Sequence, residues 1–172
     1  MKKSIHDPRD NQRLFTLDVF LIGGPTSKEF ARRNRVVCRT IAIRGDQTLA
    51  QLHQAIFKAF GRWEEHFHEF QIGGKGPHDP KAKRYVIRSD SVRVLPGERP
   101  PAGDVQRATL DMLGLKVGQA FGYWFDFGDD WWHQINVVEI GEPAPRARYP
   151  KVVRRVGDNP PQYPEEDDED EE

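Results

Sequence analysis

The sequence predicts an α+β fold: a mainly antiparallel sheet, ordered β-β-α-β and then a β-hairpin, covered by one long helix and followed by a disordered acidic C-terminal tail. Three observations carry this reading. Two β-prone runs stand near the N-terminus, and one stretch repeats apolar residues at helical spacing. Residues 121–140, FGYWFDFGDDWWHQINVVEI, gather aromatic and β-branched side chains on both sides of a Gly-Asp-Asp turn. Such side chains suit a pleated surface, whereas Gly and Asp tolerate turn geometry.

The first strand is RLFTLDVFLI, residues 13–22, closed by Gly23-Gly24-Pro25. RVVCRTIAIR, residues 35–44, is the second, ended by Gly45-Asp46-Gln47. Thr48 with Gln51 has the spacing of a capping box, and Leu49, Leu52, Ile56, Ala59 and Phe60 then recur at helical spacing up to Gly61, a C-terminal cap. HFHEFQIG, residues 66–73, alternates Phe67, Glu69 and Gln71 against His68, Phe70 and Ile72, as a strand does. GGKGPHDP, residues 73–80, is a loop; residues 85–88 form a short strand; residues 95–104 hold too many prolines and glycines for regular structure. Thr109 opens a helical turn over 110–113 that Gly114 stops. Proline recurs from Glu142, and low apolar content predicts disorder at the C-terminus. The implied organisation is a flexible N-terminus (1–12), one domain (13–151) and a Pro-rich, acidic tail (152–172).

The hairpin concentrates the chemistry. A two-residue loop at Asp129-Asp130 would set Asp126 opposite His133, and Phe127 opposite Trp132, since opposed residues of antiparallel strands share a face. A carboxylate beside an imidazole favours the protonated ring, which describes a proton-handling pair; the plainer reading is a salt link among core aromatics. The candidate binding residues are Trp124, Asp126, Asp129, Trp131, Trp132 and His133, together with His53, His66 and Glu69. His66 and His68, two apart on a strand, point the same way, and with His133 and Asp126 they offer ligands for a divalent metal. His53 flanks the helix's apolar stripe and reads as a hydrogen-bonded, partly buried histidine. No other cofactor is expected.

Composition narrows the class. Apolar residues make up 37% of the chain and aromatics 10%, enough for a real core at 172 residues. The single cysteine, Cys38, excludes an intrachain disulfide and a multi-Cys zinc site, fits a reducing cytosol and sits in an apolar run as a buried thiol. No apolar run is long enough to cross a membrane and no secretion signal is visible, so a cytoplasmic location without a membrane partner is expected. Without its last eight residues, all acidic, the chain has 26 basic against 19 acidic residues, a formal +7. A basic body, with clusters such as Arg146, Arg148, Lys151, Arg154 and Arg155, points to nucleic acid, with the tail as an internal competitor or a solubilising feature. There is no G-x-S-x-G elbow, no Walker spacing in the glycine-rich fragments, and RWEEHFHEF is a poor recognition helix.

TLAQLHQAIFKAFGRWEEHFHEFQIGG followed by YWFDFGDDWWHQI resembles the plasmid pRiA4b Orf-3-like family. The residues that carry the resemblance are Leu49, Leu52, His53, Ile56, His66, Glu69 and Phe70, then Asp126, Phe127, Gly128, Asp129, Trp131 and His133. The resemblance implies an α+β domain of unassigned biochemical function, encoded with mobile DNA and often labelled resolvase-like. Neither a recombinase nucleophile domain nor its DNA-binding domain is present in the sequence. Two functional readings follow: a non-enzymatic accessory or interaction domain contacting protein or nucleic acid, or a small metal-dependent hydrolase or nuclease-like enzyme with Asp126, Asp129 and His133 at its centre.

Overall fold

In the computed structural model, residues 12–88, 96–97 and 99–165 are described. The described strands are β1 (Leu14–Gly23), β2 (Cys38–Arg44), β3 (His68–Ile72), β4 (Lys83–Val86), β5 (Gly103–Asp104), β6 (Ala120–Phe125), β7 (Trp131–Gly141) and β8 (Lys151–Val156). They form one sheet in the order β5-β4-β3-β6-β7-β1-β2-β8, antiparallel except for the parallel β4–β5 pair. The described α-helices are α1 (Lys28–Arg33) and α2 (Leu49–Ala59).

The sheet therefore dominates, and the expectation of a sheet covered by one long helix is overturned. α2 has 11 residues and α1 has 6 with none buried. An eight-stranded sheet is too wide for a three-turn helix to cover. The connection after β5 completes the cover: Val105, Ala108, Leu110 and Leu115 are all buried in the same core as α2.

One face of the sheet carries that core. Fully buried Phe15, Leu17 and Val19 of β1 stand opposite Ile43 and Ile41 on β2, and opposite Ile140, Val137 and Ile135 on β7. Leu49, Leu52, Ile56 and Phe60 of the helical stretch are fully buried against it, as their spacing predicts. Removing each such side chain from water contributes roughly 1.5–3 kcal/mol.

The ends of α2 are closed by named partners. Thr48 and Gln51 make the predicted capping box. Leu49 N–H and Ala50 N–H, which have no partner within the helix, donate to Ala108 O (2.9 Å) and Val105 O (2.8 Å). At the other end Ala59 O accepts from Arg39 Nε (2.9 Å) and Arg155 Nη1 (2.7 Å), two cations at the negative pole of the helix. Gly61 then turns the chain with φ +68°, conformation a side chain resists.

The predicted disordered tail is also corrected. β8 pairs with β2, and the Pro-rich segment behind it returns to the domain: Gln162 is buried, accepts from Trp63 N–H (2.9 Å) and donates to Glu64 O (2.7 Å). Val152, Val153 and Val156 in KVVRRV supply the β-branched residues of an edge strand that low overall hydropathy conceals. Most of the acid run, from residue 166, lies outside the described residues, as do residues 1–11.

Candidate functional site

The hairpin register differs from the two-residue expectation. Tyr123 faces His133, Trp124 faces Trp132 and Phe125 faces Trp131. Asp126 and Asp130 both take left-handed backbone (φ 58° and 56°), and Asp126 Oδ1 accepts from Gly128 N–H (3.1 Å) and Asp129 N–H (3.2 Å). A short carboxylate that can bond its own backbone stabilises such a turn, so residues 126–130 form the loop. Asp126 therefore does not oppose His133. It lies 3.4 Å from His66 Nε2 instead.

His133 belongs to a different group, on the core face. Arg62 Nη2 donates to its Nε2 (2.9 Å), and its Nδ1–H donates to Tyr123 O (3.2 Å). Because a guanidinium only donates, this arrangement requires the neutral ring. Burial, and next the Arg62 charge, lower the His133 pKa well below its usual value, the opposite of the expected proton-handling pair. Arg62 itself is 5% exposed, and its guanidinium lies over the rings of Phe60, Phe125 and Trp131 at 4.9–5.1 Å. Burial brings its pKa down to about 10, partly offset by Tyr123 and Asp126. Among the described residues its Nε and Nη1 have no hydrogen-bond partner.

Beside this arginine, the rings of His53 (α2) and His68 (β3) stack at 3.6 Å with 2° between planes. His53 Nδ1 lies 2.6 Å from Tyr123 Oη, and its Nε2 lies 2.5 Å from Glu65 Oε1. Burial is the main cause that lowers both imidazoles to a pKa of about 3; Arg62 adds to it at His53, and His53 adds to it at His68. Both rings are therefore neutral at ordinary pH.

The other predicted residues fall elsewhere. Glu69 is buried on the opposite face of the sheet, paired with Arg84 (2.8 Å) and bonded to Gln71. Trp124 and Trp132 also occupy that face, stacked at 5.1 Å with His78 against both rings, and Trp124 Nε1–H donates to Asp130. Trp131 is fully buried in the core. His66 precedes β3 rather than sharing its face with His68, and bonds Tyr163 Oη (2.7 Å). The expected metal set of His66, His68, His133 and Asp126 does not converge, nor do Asp126, Asp129 and His133. Among the described residues the ligand-competent group is His53, Glu65 and His68.

The loop end of the sheet thus brings together three segments: 61–67 after α2, the 126–130 turn, and the returning residues 159–165. Large aromatics stand out from it: Trp63 is 71% exposed, Phe67 64%, Tyr163 44% and Phe127 42%. Phe67 and Phe127 stack on each other, and Trp63 meets Tyr163 edge to face. Tyr163 Oη donates to Glu64 Oε2, the main cause that raises its pKa to about 12.

Sequence reasoning missed Arg62, Glu65, Tyr123 and the four exposed aromatics as site residues. The available signal was RWEEHF directly after Gly61, a linker too rich in aromatic and charged residues for a simple connection.

The sequence profile of the family described as "Plasmid pRiA4b ORF-3-like protein" matches residues 29–166, most of the chain. The chain belongs to that family. A relative, "Uncharacterized protein y4hQ" of Sinorhizobium fredii, is 25% identical over 130 residues, which are 74% of this chain and 58% of the relative's length. The fold is similar to the crystal structure of "Protein of Unknown Function MM3350" from Methanosarcina mazei Go1, with TM-score 0.67 and 18% identity over 88% of this chain and 73% of that one. At that identity the likeness shows the fold alone. No helix among the described residues is long and apolar enough to cross a membrane.

Proposed function

We propose that this family member is a non-enzymatic interaction domain, an accessory of mobile DNA that engages a protein partner at the loop end of its sheet. The observation that carries the reading is the set of exposed aromatics, Trp63, Phe67, Phe127 and Tyr163, on neighbouring loops at one end of the sheet. Trp, Tyr and Arg dominate binding energy at protein interfaces because they bury much area for few rotatable bonds. Glu64, Glu65, Asp129, Asp130 and Glu165 lie on the same loops. Their charge repels phosphate and suits a partner segment with basic side chains whose aliphatic stems cover the aromatic rings.

The experiment is a selection from a displayed random-peptide library on the full chain, paired with gel shifts on single- and double-stranded DNA. Expected are peptides enriched in Arg or Lys next to apolar residues, whose binding is lost in a Trp63→Ala, Phe67→Ala double variant that folds normally. No enrichment, or DNA binding that disappears in the same double variant, overturns the reading.

A further inference from the structure

We propose that His53, Glu65 and His68 together bind one divalent transition-metal ion. Their ligand atoms all lie within 4.8 Å of one another, the one such group among the described residues. They come from α2, the 61–67 loop and β3, so the site exists only in the folded chain. Two imidazoles and one carboxylate form the ligand set of an open zinc site, with a coordination position left for solvent or a partner's side chain. Imidazole also selects Zn²⁺, Co²⁺ or Ni²⁺ over Mg²⁺ and Ca²⁺, which prefer oxygen.

Several features fit an ion at this point. Both nitrogens of His68 are buried, and neither has a hydrogen-bond partner among the described residues. Leaving such atoms bare is costly unless something else satisfies them. Two imidazole nitrogens on one tetrahedral ion stand about 3.3 Å apart, given metal–nitrogen distances of about 2.0–2.1 Å. The ring centroids of His53 and His68 stand 3.6 Å apart and the ligand atoms of the group lie within 4.8 Å of one another, so a small adjustment brings two nitrogens to that separation. The lone pairs of stacked rings lie in two parallel planes and cannot meet at one ion, so one ring must rotate to share it. His68, anchored by no hydrogen bond among the described residues, is the ring that can.

Tyr123 supplies the support that ligating histidines usually have. Its hydroxyl lies 2.6 Å from His53 Nδ1 and can donate or accept. With Nε2 protonated toward Glu65, Tyr123 donates to Nδ1; with Nε2 on an ion, Nδ1–H donates to Tyr123. Either state is satisfied. Arg62 opposes a cation, and the negative charge of the Glu65 carboxylate offsets that repulsion. Glu65 is half exposed (52% of its side chain), which gives the ion a path from solvent.

The test uses the full-length, tag-free protein stripped with a chelator and titrated with Zn²⁺ by calorimetry, and with Co²⁺ by its visible absorption. Expected is one saturable equivalent and a Co²⁺ spectrum of low-symmetry, four- or five-coordinate type. Glu65→Gln, a change at a half-exposed side chain, should weaken binding, and His68→Asn should abolish it. Tyr123→Phe should cost about 10–100-fold in affinity, the usual effect of losing an outer-shell bond. A double variant of the histidines outside the group, His66→Ala with His78→Ala, should bind as the parent does. If His68→Asn does not fold, Glu65→Gln alone decides. Absence of a saturable equivalent, or binding that Glu65→Gln leaves unchanged but the His66 and His78 changes remove, overturns the proposal.

Discussion

Leu52 and His53 follow one another on α2 and are both buried, yet they meet different parts of one core. Leu52 joins Phe15, Leu17, Ile41, Leu49 and Ile56 in a close-packed apolar core. His53 points to the loop end, where Arg62, His68, Tyr123 and His133 are buried together. The first region holds the fold by removing apolar surface from water. The second buries five polar side chains, two of which, Arg62 and His68, have nitrogens unpaired among the described residues, and no carboxylate among those residues is bonded to its arginine. A region that costs stability while keeping unspent hydrogen-bonding capacity is the expected form of a binding site.

The largest expected effect lies in the apolar region. Ile56→Ala removes a fully buried side chain and leaves a cavity, so urea unfolding should show a loss of about 2–5 kcal/mol. A loss below about 0.5 kcal/mol would place Ile56 outside the core.

The polar region should dominate the response to acid. An unfolded histidine titrates near 6.5, whereas His53 and His68 are held at about 3. Between those values the unfolded chain binds protons that the folded chain excludes. Their contribution is fully present above pH 6.5 and is lost as pH falls toward 3. Each histidine adds a slope of up to about 1.4 kcal/mol per pH unit to stability. Urea midpoints measured at several pH values should show this, and His53→Gln should remove about one histidine's share. An identical slope in parent and variant would mean that His53 is not held neutral.

A smaller effect separates local from tertiary contributions to α2. Thr48→Ala removes the side chain that accepts from Gln51 N–H (3.2 Å) and should cost about 1 kcal/mol. A cost comparable to Ile56→Ala would show that the cap, not the stripe, governs the helix.

The two regions also differ in how far the sequence reveals them. The apolar one is legible because its signals are local: the capping box at Thr48 and Gln51, the stripe from Leu49 to Phe60, Gly61, and the alternation of His68, Phe70 and Ile72. Strand order is not local. Nothing near β1 announces that it pairs with β7, more than a hundred residues away, or that β8 completes the edge beside β2. The hairpin shows the limit within one motif. Its strands are evident from composition, but the register depends on the left-handed backbone of Asp126, which a two-residue turn at Asp129-Asp130 would leave in the strand. The site was half legible. His53, His68, Trp131 and His133 stand out by type, while Arg62 and Glu65 look like ordinary loop charges until Gly61 turns the chain back over the sheet.

The smallest expected effect is the most direct test of this division of labour. Arg62→Met keeps the side-chain length against Phe60, Phe125 and Trp131 but removes a buried charge with no carboxylate bonded to it among the described residues. Replacing buried charge by apolar volume is often neutral or stabilising, and here it is set against one lost bond to His133. Urea unfolding of the Arg62→Met protein should give a stability within about 1 kcal/mol of the parent, or above it. A loss as large as that of Ile56→Ala would show that the polar end holds the fold together, and would contradict its reading as a site built for binding.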